Sequence, residues 1–198
     1  MSGLRAPGLL AAAVLLCALP AAGALPDLPT EVADALTQID SAPSRDTLNA
    51  MFPTPQAALD KLRQVALDPT DTGVQLRAIR ALPAYCPSPC ANNPVRDTLL
   101  SLIDNYSRTM HGPQDIMRLR AAVEALGAMR SGLASDVTLL KPLLDDMSRD
   151  VRATAVRALR NICNQDAITP LSMHYQSETT EQVKHEIYDA LRDLLQCT

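Results

Sequence analysis

RATAVRALRNIC, Arg152 to Cys163, decides the fold, because its pattern returns three more times along the chain. Anchored on the dipeptide Ala-Leu, the copies are Ala81-Leu82, Ala125-Leu126, Ala158-Leu159 and Ala190-Leu191. Three residues before each Leu stand Ile79, Val123, Val156 and Tyr188, and four before stand Ala78, Ala122, Ala155 and Ile187. Three after come Tyr85, Met129, Ile162 and Leu194. Apolar residues at offsets −4, −3, 0 and +3 share one face of an α-helix. The phrase recurs every 32 to 44 residues, which is the signature of stacked helical repeats. The fold expected is all-α, a solenoid of about four helix pairs closed at its start by a helical cap.

The pairs follow from caps and breaks. Thr54-Pro55 opens the first, since Thr caps well and Pro fits the first helical position, where its missing N–H costs nothing. That helix runs to about Leu67, DPTDTG turns the chain, and the partner runs from about Gly73 to Tyr85. Asn93-Pro94 opens the second pair, with Leu99, Leu100, Leu102 and Ile103 as its stripe to about Tyr106, and Pro113 to about Met129 as the partner. The third pair is Asp136 to Asp146 and Arg149 to Ile162, where Pro142 either kinks the first helix or marks its true start. The fourth is Asp166 to Tyr175 and Thr180 to Gln196, with Thr179 and Gln182 spaced as a capping box. Residues 25–53 lack the phrase. They hold TEVADALTQID, a short helix capped by Thr30, and read as the N-terminal cap segment ahead of the 54–198 repeat region.

Residues 1–24, MSGLRAPGLLAAAVLLCALPAAGA, carry one charge at Arg5, an apolar run from Leu9 to Leu19, and a small-residue end. That layout is a secretory signal peptide with cleavage expected after Ala24. The apolar run stops short of the ~20 residues a membrane span needs. A lipidated Cys17 is disfavoured by the bulky Leu15 and Leu16 before it. The expectation is a protein exported to the periplasm or the extracellular space, without stable membrane insertion after cleavage. Over the whole chain 18 basic residues face 22 acidic ones, a net charge of −4, which argues against nucleic acid as a partner. One Phe, four Tyr and no Trp leave the core to Leu, Ala, Val and Ile.

The phrases DDMSRDVRATAVRALRNI and LRAAVEALGAM resemble HEAT repeats, particularly the short bacterial kind first noted in phycobilisome lyases. The resemblance covers about Thr54 to Gln196. Pro83 in the first copy and Ile187 in the fourth depart from the usual pattern. It implies a right-handed α-solenoid whose phrase-bearing helices line a concave face, and a scaffold or adaptor that binds proteins rather than an enzyme. The alternative it leaves open is a HEAT-repeat enzyme or enzyme subunit, of lyase or metal-dependent hydroxylase type. Deoxyhypusine hydroxylase, in that family, builds a di-iron site from several His-Glu pairs. His185-Glu186 is one such pair, and one cannot supply a two-metal shell.

Four cysteines follow the leader: Cys86, Cys90, Cys163 and Cys197. An even number in an oxidising compartment points to disulfides. CPSPC lies in one connector, and Cys163 and Cys197 end corresponding helices of neighbouring pairs. A four-Cys zinc site is disfavoured because a whole repeat separates Cys86 from Cys163, and the CPSPC spacing exceeds the redox Cys-x-x-Cys by one residue. No catalytic, cofactor-binding or metal site is expected. Asp145, Asp146 and Asp150 are explained by capping the next helix.

Two residues before each anchoring Leu stand Arg80, Glu124, Arg157 and Asp189, alternating in sign. Stacked helices would set them side by side as a ladder, with Glu124 touching Arg80, Arg157 or both. Offsets −2, +1 and +2 should stay exposed on the inner helices. Glu124, Arg157, Arg160, Asp189 and Arg192 are therefore the candidate partner-binding residues, and an acidic protein segment is the partner their arginines suit.

Overall fold

The computed structural model describes residues 28–37, 42–86, 90, 93–108 and 112–197. The leader 1–24 with Cys17, and His111, lie outside these. The described residues are all-helical. A first pair of short helices, α1 (Thr30–Thr37) and α2 (Arg45–Ala50), precedes α3 (Pro55–Leu67) and α4 (Thr72–Ala81). Then come α5 (Pro94–Arg108), α6 (Pro113–Ala128), α7 (Ala134–Leu140), α8 (Arg149–Ile162), α9 (Ile168–Ser177) and α10 (Glu181–Leu194).

The helix starts are set by side-chain acceptors. Thr54 Oγ1 accepts from Ala57 N at 3.1 Å, Asp71 Oδ1 from Val74 N at 3.0 Å, and Asn93 Oδ1 from Val95 N at 2.8 Å. Each satisfies one of the backbone donors a helix leaves open. Thr30 is already inside α1 rather than capping it, because the Pro29 carbonyl accepts from Val32 N and Ala33 N. Pro83 converts the end of α4 into a 3₁₀ turn, Leu82–Tyr85, and Pro142 does the same after α7 over Lys141–Asp145.

The phrase-bearing helices form one layer. α6 lies between α4 and α8, and α8 between α6 and α10. The second layer is α3 on α4, α5 on α6, the 141–145 turn with α7 on α8, and α9 on α10. α1 packs on α4, and Val32, Leu36 and Leu48 of the first two helices join the common core. Burying a Leu or Ile side chain contributes about 1.5–3 kcal/mol, and the phrase supplies such residues to every layer contact.

In the first three copies the residues at −4, −3, 0 and +3 are all buried. The fourth copy departs from this expectation. Tyr188, at −3, is 60% exposed, and Leu191, the anchor itself, is only partly buried. The core side of α10 is instead Val183, Ile187, Ala190 and Leu194. The reason is packing: α4, α6 and α8 each have a neighbour on both sides, whereas among the described residues α10 has α8 on one side alone. Offset +1 also differs from expectation, since Gly127 is buried. A Cβ built there would sit 2.7 Å from Ala158 Cα, so a missing side chain lets α6 and α8 approach.

Two arginines, Arg118 buried and Arg152 partly buried, tie successive pairs together. Arg118 Nε donates to Gln75 Oε1 at 2.7 Å, and its Nη2 to Thr72 Oγ1 at 2.8 Å and Pro69 O at 3.1 Å. Gln75 passes the connection on to Ala66 O and the Tyr106 hydroxyl. Arg152 Nε and Nη2 donate to the two Glu178 carboxylate oxygens at 2.7 and 2.9 Å. Glu178 in turn accepts from Thr179 N at 2.9 Å and Thr180 N at 2.8 Å. The capping box expected of Thr179 and Gln182 is not formed: α10 begins at Glu181 with Thr180 as its N-cap residue and no side-chain cap, and the Arg152 fork holds the Glu178 carboxylate on the N–H groups of the turn just before the helix.

Candidate functional site

The surface of the phrase-bearing layer is built from residues one turn apart on each helix. α4 contributes Leu76 and Arg80, α6 contributes Met117, Arg120 and Glu124, and α8 contributes Thr154 and Arg157. Together they line a cavity of about 320 Å³. Leu76 and Met117 give it an apolar floor, and three arginines face one glutamate around it.

Ion pairs cross from helix to helix along this surface. Arg80 Nε lies 3.7 Å from Glu124 Oε2, the contact expected from the ladder. Arg120 Nη1 donates to Asp150 Oδ2 at 3.4 Å, joining α6 to α8. Arg157 Nη1 donates to Glu186 Oε1 at 2.9 Å, joining α8 to α10. Arg160 pairs with Asp193. The expected Arg157 to Asp189 rung is not formed. On α10 it is Glu186, three residues before Asp189, that reaches Arg157. Asp189 pairs within its own helix, with Arg192 at 3.2 Å and His185 at 3.6 Å. These half-exposed pairs contribute about 0–1 kcal/mol each, so the ladder sets register more than stability.

Of the five residues singled out from the sequence, Glu124 and Arg157 line the cavity. Arg160, Asp189 and Arg192 lie further along, among the acidic residues of α10. Arg192 also approaches Asp193 at 3.3 Å. Desolvation pushes the Asp193 carboxyl up, but hydrogen bonds from Arg192 and Arg160 outweigh it and hold the group below the ordinary carboxylate range. Arg120 was not singled out. Its signal was there, since it stands four residues before Glu124 and so on the same helical face. Its Nε is buried with no acceptor among the described residues, and its Nη1 bond to Asp150, at 3.4 Å, is long.

The cysteines lie in two pairs. Cys86 and Cys90 have Cα atoms 5.8 Å apart, and Cys163 and Cys197 5.4 Å, both within disulfide range. Cys163 ends α8 in the left-handed conformation, φ 59°, which turns its side chain toward the end of α10. The His185-Glu186 dipeptide has its two side chains on different partners, Asp189 and Arg157. Among the described residues no three His, Cys, Asp or Glu side chains converge as a metal shell. No described helix is long and apolar enough to cross a membrane.

Residues 106–192, which run from the end of α5 into the last turns of α10, match the family of HEAT repeats. No curated protein matches the chain. HEAT repeats commonly serve as protein-interaction scaffolds, and the matched stretch holds two of the three helices that line the cavity.

Proposed function

We propose that the protein is an exported, non-catalytic binding scaffold, and that the groove across α4, α6 and α8 holds an acidic segment of a protein partner. The observation that carries this reading is the groove's lining: Arg80, Arg120 and Arg157, held in half-exposed pairs with Glu124, Asp150 and Glu186 that a stronger carboxylate partner can displace, around the apolar Leu76 and Met117. Arginine forks suit carboxylates, and the apolar floor suits a side chain between them. Arg160 and Arg192 lie outside the groove, paired with Asp193 and Asp189.

The test is fluorescence anisotropy with a labelled Glu/Leu peptide and its Gln/Leu counterpart. The acidic peptide should bind and the neutral one should not. Arg120→Glu with Arg157→Glu, at unchanged helicity and melting, should weaken binding at least about tenfold, since each like-charge contact costs on the order of 1 kcal/mol or more. Undiminished binding by that variant would place the site elsewhere. Export is tested by intact mass of the protein from the extracytoplasmic fraction, where residues 1–24 should be missing. The enzyme reading makes a different prediction, a stoichiometric metal by elemental analysis.

A further inference from the structure

α10 carries two seams. The buried one is Val183, Ile187, Ala190 and Leu194, spaced four, three and four. On the opposite side Glu181, His185, Tyr188, Arg192 and Leu195 follow the same four-three rhythm, the spacing that lines one helix against another. All five are exposed, Tyr188 at 60% and Leu195 at 72%. The other end of the stack is handled differently, since α1 lies against α4 and covers it. No described element covers the second seam of α10.

The order of charges along that seam is directional. Glu181 stands at the start, Arg192 near the end, and His185 and Tyr188 between them. A parallel neighbour with the same sequence would set Glu181 on Glu181 and Arg192 on Arg192. An antiparallel neighbour, with a two-fold axis between His185 and Tyr188, sets Glu181 against Arg192 and His185 against Tyr188, each twice. On the flank the same register places Lys184 opposite Asp189. A helix whose seam complements its own reverse is suited to an isologous contact.

From this we infer that the occupant of the exposed α10 face is a second copy of this chain, docked through antiparallel α10 helices. The existing partners of the charged residues do not prevent it. Glu181 is 87% exposed and paired with Lys184 at 3.3 Å, and Arg192 is 57% exposed in its contacts with Asp189 and Asp193. Exposed pairs three apart on one helix are nearly neutral in free energy and exchange readily for contacts across an interface. One helix pair buries less than the ~1,200 Å² of a standard interface, so the dimer is weak, with Kd of tens of micromolar or above. The face is separate from the α4–α6–α8 groove, so either proposal stands without the other.

Sedimentation velocity on the full mature chain, from ~1 µM to ~500 µM, tests it against that range. The wild type should pass from monomer to dimer. Glu181→Arg alone and Arg192→Glu alone each place like charges together twice and should weaken association at least about tenfold. The double variant E181R/R192E restores opposite charges and should recover the wild-type midpoint to within about threefold. Tyr188→Ala should weaken association without changing helicity. A wild type that stays monomeric throughout overturns the inference. So does a dimer indifferent to both single reversals, or a double variant no better than the singles.

Discussion

Removing the Glu178 carboxylate should produce the largest single loss of stability outside the apolar core. Glu178 is 2% exposed and holds Arg152, 14% exposed, through two bonds of 2.7 and 2.9 Å. It also accepts from two backbone N–H groups in the turn just before α10 and from His174 Nε2 at 3.1 Å. Glu178→Ala leaves the Arg152 guanidinium only the Asp146 and Met147 carbonyls and the Thr180 hydroxyl, with no counter-charge in the ion pair, and breaking a buried pair from one side costs about 3–5 kcal/mol. Loss of its bonds to the two turn N–H groups adds about 1 kcal/mol. At roughly 2–4 °C per kcal/mol for a chain of this size, melting should fall by about 10–20 °C. Glu178→Gln keeps the shape and an acceptor and should cost about 1–3 kcal/mol. Combining Arg152→Met with Glu178→Gln should cost clearly less than the two single losses added, since neither change then leaves a lone buried charge. Calorimetric melting of the wild type, the three single variants and the double variant measures all of this. An Ala variant melting within a degree or two of wild type would refute the assignment of Glu178 as the link between α8 and α10. The pH dependence has a definite sign. The Arg152 hydrogen bond, working against desolvation, holds the Glu178 carboxyl far below its usual range. Its contribution is complete above the unfolded value of about 4.3 and is lost as pH falls below that toward the folded value. The wild type should therefore lose stability more steeply than Glu178→Gln as pH drops below about 4.5.

Three further outcomes follow from the packing and the cysteines. Gly127→Ala would gain about 1 kcal/mol in an open helix; here its Cβ meets the Ala158 backbone at 2.7 Å, and overpacking of about 1–3 kcal/mol should make urea unfolding easier. The mature protein, without residues 1–24 and so without Cys17, should show no titratable thiol when denatured and unreduced, and reduction should cost about 3–4 kcal/mol through the Cys163–Cys197 link, which spans 34 residues, and about 2 kcal/mol through Cys86–Cys90. Arg118→Met leaves Gln75, Thr72 and the Pro69 carbonyl short of a donor and should destabilise by about 2–3 kcal/mol in the same urea assay.

What the sequence by itself determined was everything carried by local periodicity. The offsets −4, −3, 0 and +3 marked the buried face of α4, α6 and α8, and Thr54, Asn93 and the prolines after them marked helix starts. The same phase put Arg80 beside Glu124. Only the tertiary structure decided which faces find a neighbour. Periodicity states that a face is apolar, but the number of helices covering it depends on position in the stack, so the same phrase buries Val156 in α8 and exposes Tyr188 in α10. The bonds that join repeats are equally invisible to a local reading. Arg118 meets Gln75 across 43 residues and Arg152 meets Glu178 across 26, separations that a 3.6-residue period cannot register. The groove itself, with Arg120 in it, exists because close contact at Gly127 and the alanines draws the helices of one layer together and leaves their polar turns side by side.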